Sequence, residues 1–428
     1  MERREFLKSS VLAGSAVLSA SITGCNKVSK PGKDVVSVSI SREPGRLAIA
    51  MWDFSWILRH HRYGEFENWE QVLEELSERG YNAIRMDAMP QFIATFADGS
   101  VKESFRCVKD GWKPSLWGND YTTTIRPREA LLEFLPLCRK YGIRVGLASW
   151  FLPHGSGRED IFMEDGGLYR AWLETLNFLD EHGLLNDILY VDLLNEYPFW
   201  HGYDWLKKEL DDRNDVRIFR LNNPEANIPD FENKADEKFN PLQQLFYKKF
   251  ANELILKLKD HFPNLDLFVS LDSGMKLNDM DISEFSALDY HIWFAHHGSI
   301  PGLNEIGSRD QGLDLKKIYE ELTGYWGGNS KILIQWMAGR LQTISETAAK
   351  HGIPCGNTEG WGPISWFDHP ELEWDWVKSS AEICVDLALQ YENYKFLCTS
   401  NFTHPQFRGI WNDLNWHRQI TGRIRGLN

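Results

Sequence analysis

Four segments of the chain share one pattern of polar and apolar positions. In each of them an amphipathic run ends at a glycine, and a short apolar run follows within a few residues. The four glycines are Gly80, Gly142, Gly183 and Gly352. A glycine directly after a helix is typical of a left-handed helix end, and a short apolar run is typical of a buried parallel strand. The pattern therefore predicts repeated helix–strand units and a parallel sheet.

Eight strands are predicted along the chain. They cover residues 47–53, 83–86, 143–147, 188–193, 265–270, 288–293, 353–358 and 395–400. Helical patterns separate most of them, so the expected fold is α/β, a (β/α)8 TIM barrel with long βα loops. A doubly wound open sheet is the alternative. It is the weaker one because no glycine-rich phosphate loop follows the first strand.

The amino terminus has the features of an export signal. Arg3 and Arg4 precede a weakly apolar run at residues 11–20, which resembles a twin-arginine signal and is too short to span a membrane. Residues 22–25 resemble a bacterial lipobox, in which the cysteine, here Cys25, is lipidated after cleavage. The alternative is a soluble protein with an ordinary signal and a chance cysteine, but the order of the features favours the lipoprotein.

These features divide the chain and predict its location. We expect an export signal at 1–24, a lipid-anchored tether at 25–45 and one large domain at 46–428. The protein would be exported, as a periplasmic or cell-surface lipoprotein of a bacterium held to the membrane by its lipid anchor only. An insert at 199–240, dense in charged residues, is either a solvated loop or a wall of the substrate cleft.

Composition narrows the class of partner. The chain has 18 Trp, 24 Phe and 14 Tyr, which suits stacking on sugar rings or on single-stranded nucleic acid. The net charge is −14 and the mature chain has no basic cluster, so nucleic acid is an unfavoured partner. The cysteines other than Cys25 have scattered spacings, and we predict no disulfide framework, no metal site and no cofactor. The sequence does not indicate an oligomeric state.

Polar and aromatic residues are interleaved at the carboxyl ends of the predicted strands. In a barrel these ends meet at one face, where the active site lies. The aromatic members could stack on sugar rings or could be packed residues of the barrel rim. The candidate site residues are Trp52, Asp53, Arg85, Trp150, His154, Asn195, Glu196, Tyr290, His291, Trp293, Glu359, Trp361 and Asn401.

Two carboxylates in this set point to a particular chemistry. Glu196 and Glu359 follow the fourth and seventh predicted strands, which face each other across an eight-stranded barrel. Glycoside hydrolysis needs one carboxyl group to protonate the leaving oxygen and a second to attack carbon or activate water. The surroundings of two glutamates can separate their pKa values for these tasks. The alternative is a pair of ordinary strand-end glutamates held in salt bridges.

With these residues, most of the mature chain resembles the clan GH-A retaining glycoside hydrolases, close to the family 5 cellulase-like proteins. Asn195-Glu196 is similar to the Asn-Glu of the clan at strand four. The resemblance implies that Glu196 is the acid/base and that Asn195 binds the sugar 2-hydroxyl. Glu359 matches the strand-seven nucleophile, and Arg85 matches the strand-two arginine that would keep the nucleophile ionised.

Other positions depart from the family pattern. His291 matches the histidine of a strand-six His-x-Tyr pattern, but the third place holds Trp293, and Tyr290 precedes the histidine. The third-strand histidine is displaced, with His154 as the candidate, and Asn401 lies where a stacking tryptophan is usual. These departures indicate an outlying branch and leave the specificity open.

The sequence thus predicts a retaining β-glycoside hydrolase that acts on a β-linked oligo- or polysaccharide in two displacement steps. Two alternatives remain open. One is a lipid-anchored carbohydrate-binding barrel without catalysis, and the other is a transglycosylase that uses the same residues. Neither the sugar nor the choice between endo and exo action can be derived from the sequence.

Overall fold

The computed structural model describes residues 39–108, 119, 121–152, 154–158, 161, 166–197, 241–272, 277, 280–297, 315–362 and 373–427. The predicted export signal, Cys25, the first part of the tether and the insert at 199–240 lie outside the described residues. Within these ranges, no helix combines the length and apolar character needed to cross a lipid bilayer.

Nine of the described strands form one parallel sheet. Its order is β7-β6-β5-β2-β1-β11-β10-β9-β8, and β3 and β4 form a separate antiparallel pair. The strands β1 to β11 are Leu47–Asp53, Ala83–Asp87, Phe105–Cys107, Thr123–Ile125, Arg144–Ala148, Ile188–Asp192, Leu267–Phe268, Leu271–Asp272, Leu288–His291, Cys355–Asn357 and Tyr394–Cys398.

The sheet closes on itself. Val269 and Ser270 separate β7 from β8, so these two strands are halves of one interrupted segment. β7 pairs with β6, and β8 pairs with β9, so this segment joins both edges of the sheet. The predicted (β/α)8 barrel is therefore confirmed, with each predicted strand in its place. The fifth strand was expected to be continuous, but the backbone N–H of Ser270 donates to the Asp192 side chain, which interrupts the ladder there.

Ten α-helices lie in the described part of the chain, and the local signals of the sequence account for several of their ends. Asn68 caps the second helix by accepting from the backbone N–H of Gln71, and Pro127 opens the fourth. The helices are Ser55–Leu58, Trp69–Glu78, Pro90–Ile93, Pro127–Lys140, Gly167–Glu181, Pro241–Lys259, Leu315–His351, Trp374–Ala388, Arg408–Trp411 and Leu414–Arg425.

The four glycines of the sequence pattern adopt the expected left-handed conformation. Their φ angles are 82° at Gly80, 69° at Gly142, 68° at Gly183 and 68° at Gly352. Residues with a Cβ atom rarely adopt this conformation. Each helix therefore ends where the pattern predicted, and the chain can enter the following strand.

Aromatic rings fill the barrel interior below the carboxyl ends of the strands. The ring centroids of Tyr190 and Phe268 are 5.0 Å apart, and those of Tyr190 and Phe396 are 6.0 Å apart. Two glycines give these rings room, because a Cβ atom on Gly146 would lie 2.1 Å from the Tyr190 ring and one on Gly356 would lie 2.3 Å from the Phe396 ring. The interior is a packed core, and the polar site lies at one end of it.

Residues that precede the predicted domain boundary at residue 46 already contact the barrel. Ser39 and Ile40 are buried, and the Ser39 hydroxyl and the Ile40 N–H each donate to the Asp266 carboxylate at 2.9 Å. Residues 39–45, assigned to the tether from their composition, thus include a segment that packs on the domain.

Candidate active site

Five of the predicted site residues come together at the carboxyl ends of the barrel strands. Arg85 lies in β2, Asn195 and Glu196 follow β6, His291 ends β9, and Glu359 follows β10. All five side chains are buried. Parallel strands that close into a barrel bring these ends together, although the residues are far apart in sequence.

Arg85 is the cation of the site. Its Nη1 atom lies 3.1 Å from a Glu359 carboxylate oxygen and 3.1 Å from an Asp53 oxygen. Its Nη2 atom donates to the Asn195 side-chain oxygen and lies 3.5 Å from an Asp192 oxygen. Burial alone would lower the pKa of Arg85, but the surrounding carboxylates raise it well above its ordinary value. The guanidinium therefore stays charged and is fixed beside Glu359.

Glu196 and Glu359 form a close pair joined by a histidine. The Nδ1 atom of His291 lies 3.2 Å from a Glu196 oxygen and 3.4 Å from a Glu359 oxygen. One carboxylate oxygen of each glutamate and one ring nitrogen of His291 all lie within 4.8 Å of one another. The proximity of these oxygens is in keeping with retaining glycosidases, whose carboxyl groups lie roughly 5–5.5 Å apart, and less so with inverting ones, at roughly 6.5–9.5 Å.

The two glutamates differ in their electrostatic surroundings. Burial raises the pKa of Glu196 well above its usual value, and the nearby charges of Glu359 and Asp272 add to that rise. Burial also raises the pKa of Glu359, but Arg85 opposes the rise by charge and by a hydrogen bond. Because the guanidinium contacts Glu359 directly, we assign the first ionisation of the pair to Glu359 and the retained proton to Glu196.

His291 is neutral in this setting. Burial lowers its pKa below the ordinary value, although Asp289 acts in the opposite direction. Burial would raise the pKa of Asp289, but His291, Arg85 and Thr358 together lower it, so Asp289 is ionised. The His291 Nε2 atom lies 3.5 Å from Asp289, and we place the ring proton on that nitrogen. Nδ1 then accepts a hydrogen bond from the protonated Glu196 carboxyl group.

Two further predicted residues contact the backbone or charges of the site. The Asn401 side-chain oxygen accepts from the N–H of Gly360, which follows Glu359, and the Asn401 N–H donates to the Gly360 carbonyl at 2.9 Å. Asp53 contacts Arg85 through one carboxylate oxygen, and its second oxygen accepts a hydrogen bond from the Trp150 indole at 2.9 Å. Both residues therefore support the region around Glu359.

The predicted aromatic platforms fall into two groups. Trp150 and Trp293 retain some exposure, 5% and 7%, at the barrel rim. Trp52 and Trp361 are fully buried and donate through their indole nitrogens to the carbonyls of Thr403 and Cys398. Trp150 and Trp293, which follow strand ends, stay the candidates for sugar stacking, whereas the contacts of the two fully buried indoles suit packing of the barrel.

Tyr290 and His154 each contact a side chain outside the carboxylate pair. The Tyr290 hydroxyl receives a hydrogen bond from Arg340 in the long helix Leu315–His351, so this side chain faces the helix layer. His154 packs edge-on against Phe54 with ring centroids 5.3 Å apart, and burial lowers its pKa to about 4. These are packing contacts, and they do not support the predicted roles of the two residues in substrate binding.

The prediction from sequence missed two buried acids. Asp192 and Asp289 lie in β6 and β9, are fully buried, and contact the groups that surround the glutamates. A usable signal was present, since Asp192 is a charged residue inside an otherwise apolar run. A carboxylate at such a position must be paired or hydrogen-bonded, which marks it as part of a built site.

Among the described residues, one group has ligand atoms close enough together to hold a metal ion. It consists of Glu196, His291 and Glu359. One imidazole and two carboxylates are suitable ligands for a divalent ion such as zinc. Arg85, however, places a fixed positive charge 3.1 Å from Glu359 and opposes a second cation there. The arrangement therefore favours paired acid–base chemistry.

A (β/α)8 barrel with two buried carboxyl groups beside an arginine at its carboxyl face defines the class of the glycoside hydrolase barrels. Comparison with protein families agrees with this class. Residues 49–425 match the family described as sugar-binding cellulase-like, and the chain belongs to that family. Comparison with curated protein sequences gave no match.

Comparison with solved structures found a bacterial protein with the same fold, and two less similar structures. A candidate glycoside hydrolase from Parabacteroides distasonis is 28% identical, with a TM-score of 0.67 and coverage of 89% of this chain and 94% of that one. A family 5 mannosidase from Rhizomucor miehei is 12% identical, with a TM-score of 0.49 and coverage of 92% and 98%. An endo-β-1,4-mannanase from Thermotoga petrophila is 10% identical, with a TM-score of 0.45 and coverage of 91% and 79%.

Proposed function

We propose that this protein is a retaining β-glycoside hydrolase that acts on a β-linked oligo- or polysaccharide. The observation that carries the proposal is the Glu196–Glu359 pair. One carboxylate oxygen of each lies within 4.8 Å of the other and of a ring nitrogen of His291. Such close carboxyl groups support a retaining mechanism, because inverting enzymes hold the two groups roughly 6.5–9.5 Å apart to admit a water molecule. Membership of a sugar-binding family supports the substrate class.

The two glutamates take different roles because Arg85 stabilises the negative charge of Glu359, whereas burial and neighbouring carboxylates oppose the ionisation of Glu196. Glu359 contacts Arg85 and is the nucleophile, whereas Glu196 keeps its proton and is the acid. In the first step, a Glu359 oxygen forms a bond to the anomeric carbon. The bond from that carbon to the leaving oxygen breaks as this oxygen takes the Glu196 proton.

In the second step, Glu196 is a base. It takes a proton from a water molecule, the water oxygen bonds to the anomeric carbon, and the bond to Glu359 breaks to release the sugar with its original configuration. Asn195 is the proposed ligand of the sugar 2-hydroxyl, held in place by its hydrogen bond from Arg85. Trp150 and Trp293 are the proposed stacking residues at the rim.

Replacement of the two glutamates tests the roles. With a panel of aryl β-D-glucosides, β-D-cellobiosides and β-D-mannosides, Glu359→Gln should remove measurable hydrolysis. Glu196→Gln should lower kcat/KM by about 10²–10⁴ for substrates with a poor leaving group. A 2-fluoro sugar should label Glu359 of the wild-type enzyme, identified by mass spectrometry of peptides. Label on another residue would contradict the assignment of the nucleophile.

The same panel separates the alternatives. Sugar binding by the wild-type protein without cleavage of any substrate would indicate a binding barrel and would refute the enzymatic proposal. Products longer than the substrate at high substrate concentration would indicate transglycosylation. Proton NMR of the first-formed product reports the anomeric configuration, and inversion would contradict the two-step mechanism.

The location is a separate proposal. We propose that the protein is exported and anchored by a lipid on Cys25, because the twin-arginine, apolar and lipobox features follow in the required order. In cells labelled with a palmitate analogue, the wild-type chain should carry the label and sediment with membranes. Cys25→Ser should lose both properties. Unlabelled wild-type protein in the soluble fraction would refute the anchor.

A further inference from the structure

Three buried aspartates lie on alternate barrel strands, β2, β6 and β9. Each accepts a hydrogen bond from a backbone N–H of the neighbouring barrel segment, at or just beyond its strand. The pairs are Asp87 with Trp150 at 2.9 Å, Asp192 with Ser270 at 2.7 Å, and Asp289 with Thr358 at 3.0 Å. All three aspartates are fully buried.

One of these pairs leads directly to Glu196. A second Asp192 oxygen accepts from the Ser270 hydroxyl at 2.7 Å, and that hydroxyl oxygen accepts from the Glu196 backbone N–H at 3.0 Å. Ser270 is therefore held at two atoms by Asp192 and holds Glu196 in turn. Because both Asp192 oxygens accept hydrogen bonds from Ser270, the position of Ser270 is well defined.

Glu196 has a backbone that needs this restraint. Its φ angle is +51°, in the left-handed region that residues with a Cβ atom rarely adopt. Such a conformation persists when surrounding contacts determine it. Without the acceptor on Ser270, the Glu196 N–H would lose its partner and the backbone could relax. The carboxyl group would then move relative to Glu359 and His291.

The Asp289 pair reaches the other glutamate by a parallel route. Asp289 accepts from the Thr358 hydroxyl at 2.5 Å, and Thr358 directly precedes Glu359. The Asp87 pair is the matched case without a catalytic carboxylate, because it holds Trp150 and the Met89 N–H. The described part of the chain thus contains two such contacts that serve the glutamates and one of the same type that does not.

We propose that Asp192, acting through Ser270, is a positioning residue that fixes the proton-donating carboxyl group of Glu196. The inference rests on the proposed function, since it concerns the first step of that reaction. It assigns to Asp192 an effect on the proton transfer to the leaving oxygen and not on the attack by Glu359. The two effects can be separated by the choice of leaving group.

A poor leaving group needs the proton of Glu196, and a good one does not. Phenolate is a weak leaving group that requires protonation as the bond breaks, whereas 2,4-dinitrophenolate is stable as the anion. The value of kcat/KM reports the first step for both. Displacement of Glu196 should therefore lower kcat/KM for phenyl β-glycosides and leave it nearly unchanged for 2,4-dinitrophenyl β-glycosides of the same sugar.

The main experiment compares Asp192→Asn and Ser270→Ala with the wild-type enzyme on such a pair of glucosides, cellobiosides or mannosides, whichever is hydrolysed. We expect kcat/KM for the phenyl substrate to fall by about 10–100-fold, the range for a misplaced catalytic group, and that for the dinitrophenyl substrate by less than about threefold. Ser270→Ala is the cleaner variant, because Asp192→Asn also changes a carboxyl group that lies 3.5 Å from Arg85.

Two controls use the other aspartate contacts. Thr358→Ala should lower kcat/KM for the dinitrophenyl substrate as well as for the phenyl substrate, because Thr358 precedes the nucleophile Glu359 and its hydroxyl lies 3.3 Å from His291. Asp87→Asn should not change the ratio of the two kcat/KM values, although it breaks a contact of equal burial. Thermal unfolding of each variant, followed by circular dichroism, accounts for general loss of structure.

The outcomes separate this inference from the proposed function. Equal losses with both leaving groups in Ser270→Ala and Asp192→Asn would overturn the positioning role and leave the hydrolase intact. Failure of both variants to fold would also overturn it, because the pair would then serve the barrel and not Glu196. Failure of the wild-type enzyme to hydrolyse any substrate would instead overturn the proposed function, and the inference with it.

Discussion

At the scale of single residues, burial shifts the titration of several groups in opposite directions. Burial raises the pKa of Asp87 and of Asp192 to about 7, and it lowers the pKa of His404 and of His417 to about 3. The aspartates therefore contribute stability that is complete below their unfolded pKa near 4 and is lost as pH rises through 7. The histidines contribute stability that is present above pH 6.5 and is lost as pH falls.

His417 provides a test of this linkage. Its Nδ1 atom lies 2.8 Å from the Tyr81 hydroxyl, its Nε2 atom donates to the Ile410 carbonyl at 3.0 Å, and Arg79 disfavours a further positive charge. In the unfolded chain the ring takes up a proton near pH 6.5, whereas in the folded chain it does not. From pH 7 to pH 5, the wild-type protein should lose about 2 kcal/mol more free energy of unfolding than His417→Gln.

Urea unfolding of the two proteins at both pH values measures this difference. His417→Gln keeps a polar side chain, so it should fold, although with a lower stability at pH 7. Curves that shift in parallel between the two pH values would show that His417 does not titrate on unfolding.

At the scale of elements, the barrel depends on small residues as much as on large ones. Glycines end the helices that precede four strands, and two glycines inside the barrel make room for Tyr190 and Phe396. The first use was predictable, because a helix followed by glycine is a local signal. The second was not, because the ring that occupies the space comes from a different strand.

A pair of glycine replacements tests this packing. Gly146→Ala would place a Cβ atom 2.1 Å from the Tyr190 ring, and overpacking of this kind costs about 1–3 kcal/mol of unfolding free energy. Gly339→Ala, in the helix Leu315–His351, meets no atom within 4 Å and should instead add about 1 kcal/mol through helix propensity. Denaturant unfolding measures both, and equal effects would contradict the packed interior.

At the scale of the whole molecule, barrel closure creates the site. The interrupted strand Leu267–Asp272 pairs with β6 through its first half and with β9 through its second. Closure therefore places the strand that carries Glu196 and the strand that precedes Glu359 around one interior. Across this interior Arg85 contacts Glu359, and His291 contacts both carboxylates.

The sequence by itself determined the strand positions, the barrel, the glutamate pair and its arginine. The strands, the barrel and the two glutamates follow from local rules, namely amphipathic and apolar runs, helix-end glycines, and polar residues at strand ends. The pairing of Arg85 with Glu359 was implied by the resemblance to a known family. The tertiary structure alone decided which groups share Arg85, that Tyr290 faces a helix, that Trp52 and Trp361 are buried, and that Asp192 and Asp289 hold the neighbouring strands. Those contacts join residues far apart in the chain, and their distances depend on how the closed barrel packs, which no local pattern encodes.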